Sequence, residues 1–171
     1  VKPIARAYAG ARNFYYLGRR YNFPSALEGA LKLKEICPQI HAEGYAAGEM
    51  KHGPISLIRK GWPVVVIATD SPVNEKILSN IEEVRARQGE CIVIASEGNH
   101  EIARYTDDLI TVPKTEELFS PIVVAIPLQS LAYESLSTAS VPLTARPPNC
   151  VWVSRTPVSM MYACTFDAVV S

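Results

Sequence analysis

The sequence has no apolar run long enough to cross a membrane. The longest, at 63–68 and 122–126, fall far short of the roughly 20 residues a spanning helix needs. No basic opening leads into an apolar stretch, so there is no signal peptide to read. Charge of one sign is not in excess either: 17 Lys and Arg balance 17 Asp and Glu. That balance argues against a nucleic-acid backbone or an anionic membrane surface as partner. Cysteine is sparse; Cys37, Cys91, Cys150 and Cys164 form no CxxC pair and no dense framework. They read as reduced thiols of a cytoplasmic protein. No Asn-x-Ser/Thr acceptor occurs, in keeping with that compartment. Also missing are a Gly-rich dinucleotide or P-loop fingerprint, a G-x-S-x-G elbow and any recognisable cysteine nucleophile signature.

What is present is a globular composition, 48% hydrophobic and 20% charged, in a chain of 171 residues, about one domain in length. Strand-like and helix-like segments alternate. Asn13 to Leu17 reads as a strand ending at Gly18, and Pro24 to Ile36 as a helix stopped by Pro38. The continuous β-branched run Pro63 to Ala68 is the mark of a strand buried on both faces. Ser71 and Pro72 read as an N-cap and first helical residue of a charged helix that runs to about Gln88 and is capped by Gly89. Cys91 to Ser96 and Asp108 to Val112 read as further strands. Thr115 to Glu117 reads as the start of a helix that runs through Pro121 and Pro127 to about Thr138, bent or broken at the prolines. This alternation predicts an α/β fold, a mostly parallel sheet flanked by helices on both faces.

Two segments carry the chemistry. In Glu28-Gly-Ala-Leu-Lys32-Leu-Lys34-Glu35, helical spacing puts Glu28, Lys32 and Glu35 within a stripe about 60° wide. Leu27, Ala30, Leu31, Leu33 and Ile36 take much of the remaining circumference, so the stripe faces either solvent or a polar cavity. Spacing alone does not separate an active site from a ladder of ion pairs worth about 0.2–0.5 kcal/mol each. The second segment, His41 to Pro54, packs two His, two Glu and a Lys into a stretch ending in a Gly-Pro turn. His52 sits on that turn, where an imidazole is accessible and titrates near neutral pH; a simple loop hydrogen bond is its other reading. Glu49 and His52 form an E-x-x-H pair, but the second pair and four-helix setting of a di-iron site are absent. No metal site is expected. His100, within Glu97-Gly-Asn-His-Glu101, reads as a solvated surface residue.

At these two segments the chain resembles the glutamine–fructose-6-phosphate aminotransferase (isomerising) family, the glucosamine-6-phosphate synthases. The shared words are Ala26-Leu-Glu-Gly-Ala-Leu-Lys-Leu-Lys-Glu35 and Ala46-Ala-Gly-Glu-Met-Lys-His-Gly-Pro54. Ser79-Asn-Ile-Glu-Glu-Val-Arg-Ala-Arg87, Ser120-Pro-Ile, Ile126-Pro-Leu-Gln129 and Leu131-Ala-Tyr133 follow in order. The resemblance covers roughly residues 12 to 139. It implies a three-layer, flavodoxin-like sugar-isomerase (SIS) domain over 1–139, the second of a tandem pair that follows a glutaminase domain. The implied reaction converts fructose 6-phosphate and glutamine-derived ammonia into glucosamine 6-phosphate, with no metal or organic cofactor and with a homodimer as the working unit. Carried over by position, Glu35 resembles the base that moves a proton between C1 and C2 of the imine-bound sugar. Lys32 resembles the lysine that assists that transfer. His52 resembles the histidine that opens the sugar ring of the neighbouring subunit.

The departures from the family are specific. Its C-terminal segment carries a lysine that forms a Schiff base with the sugar, whereas no lysine occurs here after Lys114. The phosphate-binding loop of the first isomerase domain and the glutaminase cysteine are also absent. The spacing Ile36-Cys-Pro-Gln-Ile-His41 is one residue longer than the family's. The segment 140–171 loses all periodicity, is studded with Pro142, Pro147, Pro148 and Pro157, and has only Arg146, Arg155 and Asp167 as charges. It reads as a frame-shifted or disordered tail, from a slipped reading frame, a retained intron or an assembly error. The expectation is therefore a truncated, inactive isomerase half. A non-catalytic sugar-phosphate-binding regulatory domain is the alternative, and a deglycase of sugar–amine conjugates a third reading.

Overall fold

The computed structural model describes residues 1–106 and 108–138; the tail expected from residue 140 onward lies outside the described residues. Five strands, β1 (Asn13–Gly18), β2 (His41–Ala46), β3 (Pro63–Ala68), β4 (Glu90–Ser96) and β5 (Asp108–Val112), form one parallel sheet in the order β2-β1-β3-β4-β5. The helices are α1 (Lys2–Ala7), α2 (Asn22–Ile36), α3 (Asn74–Ala86), α4 (His100–Ala103) and α5 (Ser120–Thr138). Short 3₁₀ turns occupy Met50–His52, Pro54–Leu57 and Glu117–Phe119.

The period of two along each strand feeds two cores. Phe14, Tyr16, Val65, Ile67, Ile92 and Ile94 face Ala30 and Leu33 of α2, Leu128 and Leu131 of α5, and Ile4 of α1. Tyr15, Leu17, Val64, Val66 and Val93 face Ile77, Ile81 and Val84 of α3 and Ile102 of α4. Every residue of β3 is buried, as its unbroken β-branched run requires of a central parallel strand. The architecture is thus the parallel sheet between helices expected from the alternation of elements, in the three-layer, flavodoxin-like arrangement that the resemblance implies.

Several expectations need correction. The charged helix α3 begins at Asn74, not behind a Ser71 cap; Ser71 Oγ instead accepts from the Val73 N–H and donates to the Glu117 carboxylate. At its end Gln88, with φ +62°, takes the left-handed position expected of Gly89. Gly89 is needed for room, since a Cβ there falls 2.5 Å from Ile58 Cγ2. Helix α5 runs without a break from Ser120 to Thr138. Pro121 lies in the first turn, where no N–H is needed, and the packing of Val124, Leu128 and Leu131 carries the helix past Pro127. Strand β2 and helix α1 were not legible in the sequence. The long spacing before His41 is taken up in a turn closed by Ile40 N–H donating to Cys37 C=O and His41 N–H to Arg12 C=O, both 2.8 Å.

Two glycines set how close α2 lies to the sheet. A Cβ on Gly18 falls 2.0 Å from Asn22 O and 2.9 Å from Phe23 N, both backbone atoms of the first turn of α2. A Cβ on Gly44 falls 2.8 Å from Ala26 O and Leu27 Cα. Gly18→Ala is therefore expected to destabilise the fold by about 3 kcal/mol or more, measured as a shift in the urea midpoint. Cys37 and Cys91 are free and buried, and burial raises their thiols from 9.0 to about 11 and about 12. An unfolded chain ionises these thiols first, so the stabilisation they give is intact below pH 9 and is lost as pH rises through their folded values. Urea midpoints measured at pH 7 and pH 10 are expected to show that loss, and Cys37→Ala to reduce it.

Candidate active site

Helix α2 runs antiparallel to β1 and β2, from the C-terminal edge of the sheet back to its N-terminal edge. Ser25, Ala26, Gly29, Ala30 and Leu33 are its buried side, which leaves Glu28, Lys32 and Glu35 on the outer surface at helical spacing. Lys32 Nζ lies 2.8 Å from Glu35 Oε2 and 3.5 Å from Glu28 Oε1, bridging the two carboxylates. The lysine side chain is 20% exposed and each glutamate 46%. Burial pulls the Lys32 pKa down, but the hydrogen bond that Lys32 donates to Glu35 and the charges of both glutamates outweigh it, and the net shift is upward. Lys32 is thus a firmly protonated cation between two carboxylates, an arrangement in which Glu35 can accept a proton and Lys32 can stabilise the charge left behind. The stripe is flanked by exposed Leu27 and Leu31.

At the same edge of the sheet Lys34 Nζ lies 3.4 Å and His41 Nε2 3.5 Å from Glu43 Oε1. His52 lies elsewhere. It lies in the short 3₁₀ turn Met50–His52 that follows β2. Its neighbour Met50 packs in the α3-side core, whereas α2 covers the other face. The loop that carries His52 is tied down by the Ala47 N–H donating to Gly18 C=O at 2.9 Å and by Lys51 Nζ against Glu83 Oε1 at 2.6 Å. The imidazole itself is exposed, with no hydrogen-bond or ion-pair partner among the described residues. One chain therefore brings Lys32 and Glu35 together and holds His52 apart from them. His100 is an exposed first residue of α4.

A five-stranded parallel sheet in the order β2-β1-β3-β4-β5, sandwiched between helices, defines a three-layer, flavodoxin-like class of domain. Residues 7–139 match the SIS domain family, and the chain belongs to it. Within that family the chain is homologous to the isomerase part of glutamine–fructose-6-phosphate aminotransferases. It is 59% identical over 133 residues to the isomerising aminotransferase of Chlorobaculum tepidum, covering 78% of this chain and 22% of that relative. To the Thermus thermophilus aminotransferase it is 58% identical over 134 residues, with the same coverage of each. Among solved structures it is similar to the C-terminal domain of glucosamine-fructose-6-phosphate aminotransferase from Francisella tularensis. That similarity is 34% in sequence with a TM-score of 0.73, over 80% of this chain and 38% of that one. The chain spans about a fifth of the length of the curated relatives it matches. No helix among the described residues is long and apolar enough to cross a membrane.

Because the stripe is half open to water, its ion pairs are worth little to stability. Lys32→Met is expected to lower it by less than about 1 kcal/mol, checked by thermal unfolding at pH 7.

Proposed function

We propose that residues 1–139 are the second isomerase domain of a glutamine–fructose-6-phosphate aminotransferase, working on fructose 6-phosphate in the cytoplasm. The observation that carries this reading is the Glu28–Lys32–Glu35 stripe, with Lys32 held 2.8 Å from Glu35. Glu35 takes the proton from C1 of the imine-bound sugar and returns it to C2. Lys32, already a cation, steadies the negative charge that passes through the enolamine. His52 opens the ring of a sugar bound to the neighbouring subunit of a homodimer. The loop that carries it packs on the α3 side of the sheet while α2 covers the other face, which supports that division.

This chain carries no lysine after Lys114 for a Schiff base, so turnover is not expected of the chain alone. The test is a chimera in which residues 12–139 replace the matching stretch of the Thermus thermophilus aminotransferase. It is expected to form glucosamine 6-phosphate, and Glu35→Gln in it to lower kcat about 100-fold or more, the typical loss of a general base. A chimera whose rate is indifferent to Glu35→Gln sinks the assignment. Light scattering of the chimera tests the dimer, and a monomer with full activity removes the role given to His52.

A further inference from the structure

The stretch 79–87 lies mostly on α3, across the sheet from Lys32 and Glu35, and the isomerase reading gives it no task. Its side chains reach the loop that carries His52. Asn80 is 1% exposed, on a helix whose other inward residues are Ile77, Leu78, Ile81 and Val84. Its Oδ1 accepts from Arg19 Nε at 3.1 Å and from Arg19 Nη2 at 2.9 Å. Its Nδ2 donates to Glu83 Oε2 at 3.4 Å, and Glu83 Oε1 pairs with Lys51 Nζ at 2.6 Å. From the other end, the Arg19 guanidinium lies against the backbone of Gly48, where a Cβ would meet its Nη1 at 3.4 Å. Gly48 and Lys51 both precede His52 in one loop. A single polar network therefore leaves that loop at Gly48, runs through the inner side of α3 and returns to it at Lys51.

The ends of the loop are pinned as well. Ala47 N–H donates to Gly18 C=O at 2.9 Å, and Gly53 C=O accepts from Ser56 N–H at 2.9 Å and Ser56 Oγ at 2.7 Å. Met50 is fully buried in the α3-side core. His52 is exposed, and Gly53 after it has φ +157° with nothing within 4 Å of its Cβ position. The imidazole thus stands on an open turn whose aim is set from beneath. Stability alone is a poor reason for this arrangement. An ion pair as open as Lys51–Glu83 contributes little, and an apolar side chain at position 80 would bury without the desolvation cost of an amide.

We propose that Arg19, Asn80 and Glu83 are positioning residues for His52, fixing where its imidazole stands against a sugar bound to the neighbouring subunit. The proposal rests on the reading of His52 as the ring-opening group. Opening the furanose breaks the C2–O5 bond: O5 takes a proton, and the C2 hydroxyl gives one up as it becomes the carbonyl. An imidazole that serves those oxygens across a subunit boundary depends on the loop under it for its reach. Misplacement by about 1 Å costs such a step about 100-fold.

The test uses the chimera described above and two substrates. Fructose 6-phosphate must be opened; 5-deoxyfructose 6-phosphate lacks O5 and is open already. Asn80→Ala is expected to lower kcat/KM for fructose 6-phosphate about tenfold or more, and to leave that for the 5-deoxy ester within about twofold. His52→Ala, run beside it, gives the same split with a larger loss. Equal losses on both substrates for Asn80→Ala mean a structural role only and overturn the proposal, as does no loss on either. Glu83→Gln alters a partly exposed site; it gives a smaller split, and its result decides should the Asn80→Ala chimera fail to fold. A split for His52→Ala alone overturns only the proposal, whereas no split for His52→Ala removes the ring-opening reading and the proposal with it. In the full chain, the amides of residues 48–52 are expected to exchange hydrogen about tenfold faster in Asn80→Ala, and unchanged exchange there also overturns the proposal.

Discussion

The backbone-to-backbone approach of α2 to β1 and β2 is the constraint on which the rest of the molecule depends. Gly18 lets the chain leave the strand and enter the helix with no side chain between them, and Gly44 lets the middle of the helix lie against the edge strand. Gly29 completes the contact from the helix side, where a Cβ falls 2.9 Å from the Tyr16 ring and Leu128. With the helix so low, its buried side is restricted to small residues and Leu33. The outer side is then free for a lysine and two glutamates whose spacing is fixed by the helix, not by a loop. The stripe for which we propose proton transfer thus sits on a helix packed closely against the sheet, the support such a group needs.

The same packing explains which parts of the fold were legible in the sequence. Strand β3 matches its apolar run residue for residue and β4 differs by one, because parallel strands buried on both faces leave an unbroken apolar signature; the edge strand β5 also keeps its expected bounds. Strand β2 leaves none. As an edge strand beneath a close helix it is built of Ala42, Gly44 and Ala46 on one face and His41, Glu43 and Tyr45 on the other, which reads as a polar loop. The start of α3 was misplaced because Ser71 looked like a cap by local rules while its hydroxyl is engaged by Glu117, 46 residues away. Tertiary demand overrode local preference there.

The site was legible to the same degree. Glu28, Lys32 and Glu35 share a face by helical arithmetic alone, and the structure adds the distances. That the His52 loop lies on the α3 side of the sheet depends on the course of the chain after β2, which no local spacing encodes. The Arg19–Asn80–Glu83–Lys51 network is further from view, since the β1–α2 loop, α3 and the turn after β2 all contribute and only the fold brings them together.

The placement of α5 also governs how the chain reaches this state during synthesis. Helix α5 is the last described element, yet it covers Phe14 and Tyr16 of the first strand made, together with Ile92 and Ile94. Until it emerges, one whole face of the sheet lacks its largest apolar cover, and β1 waits for β3 to close its second edge. A ribosome that stalls before residue 138 therefore holds a chain with an open greasy surface, a natural client for a chaperone.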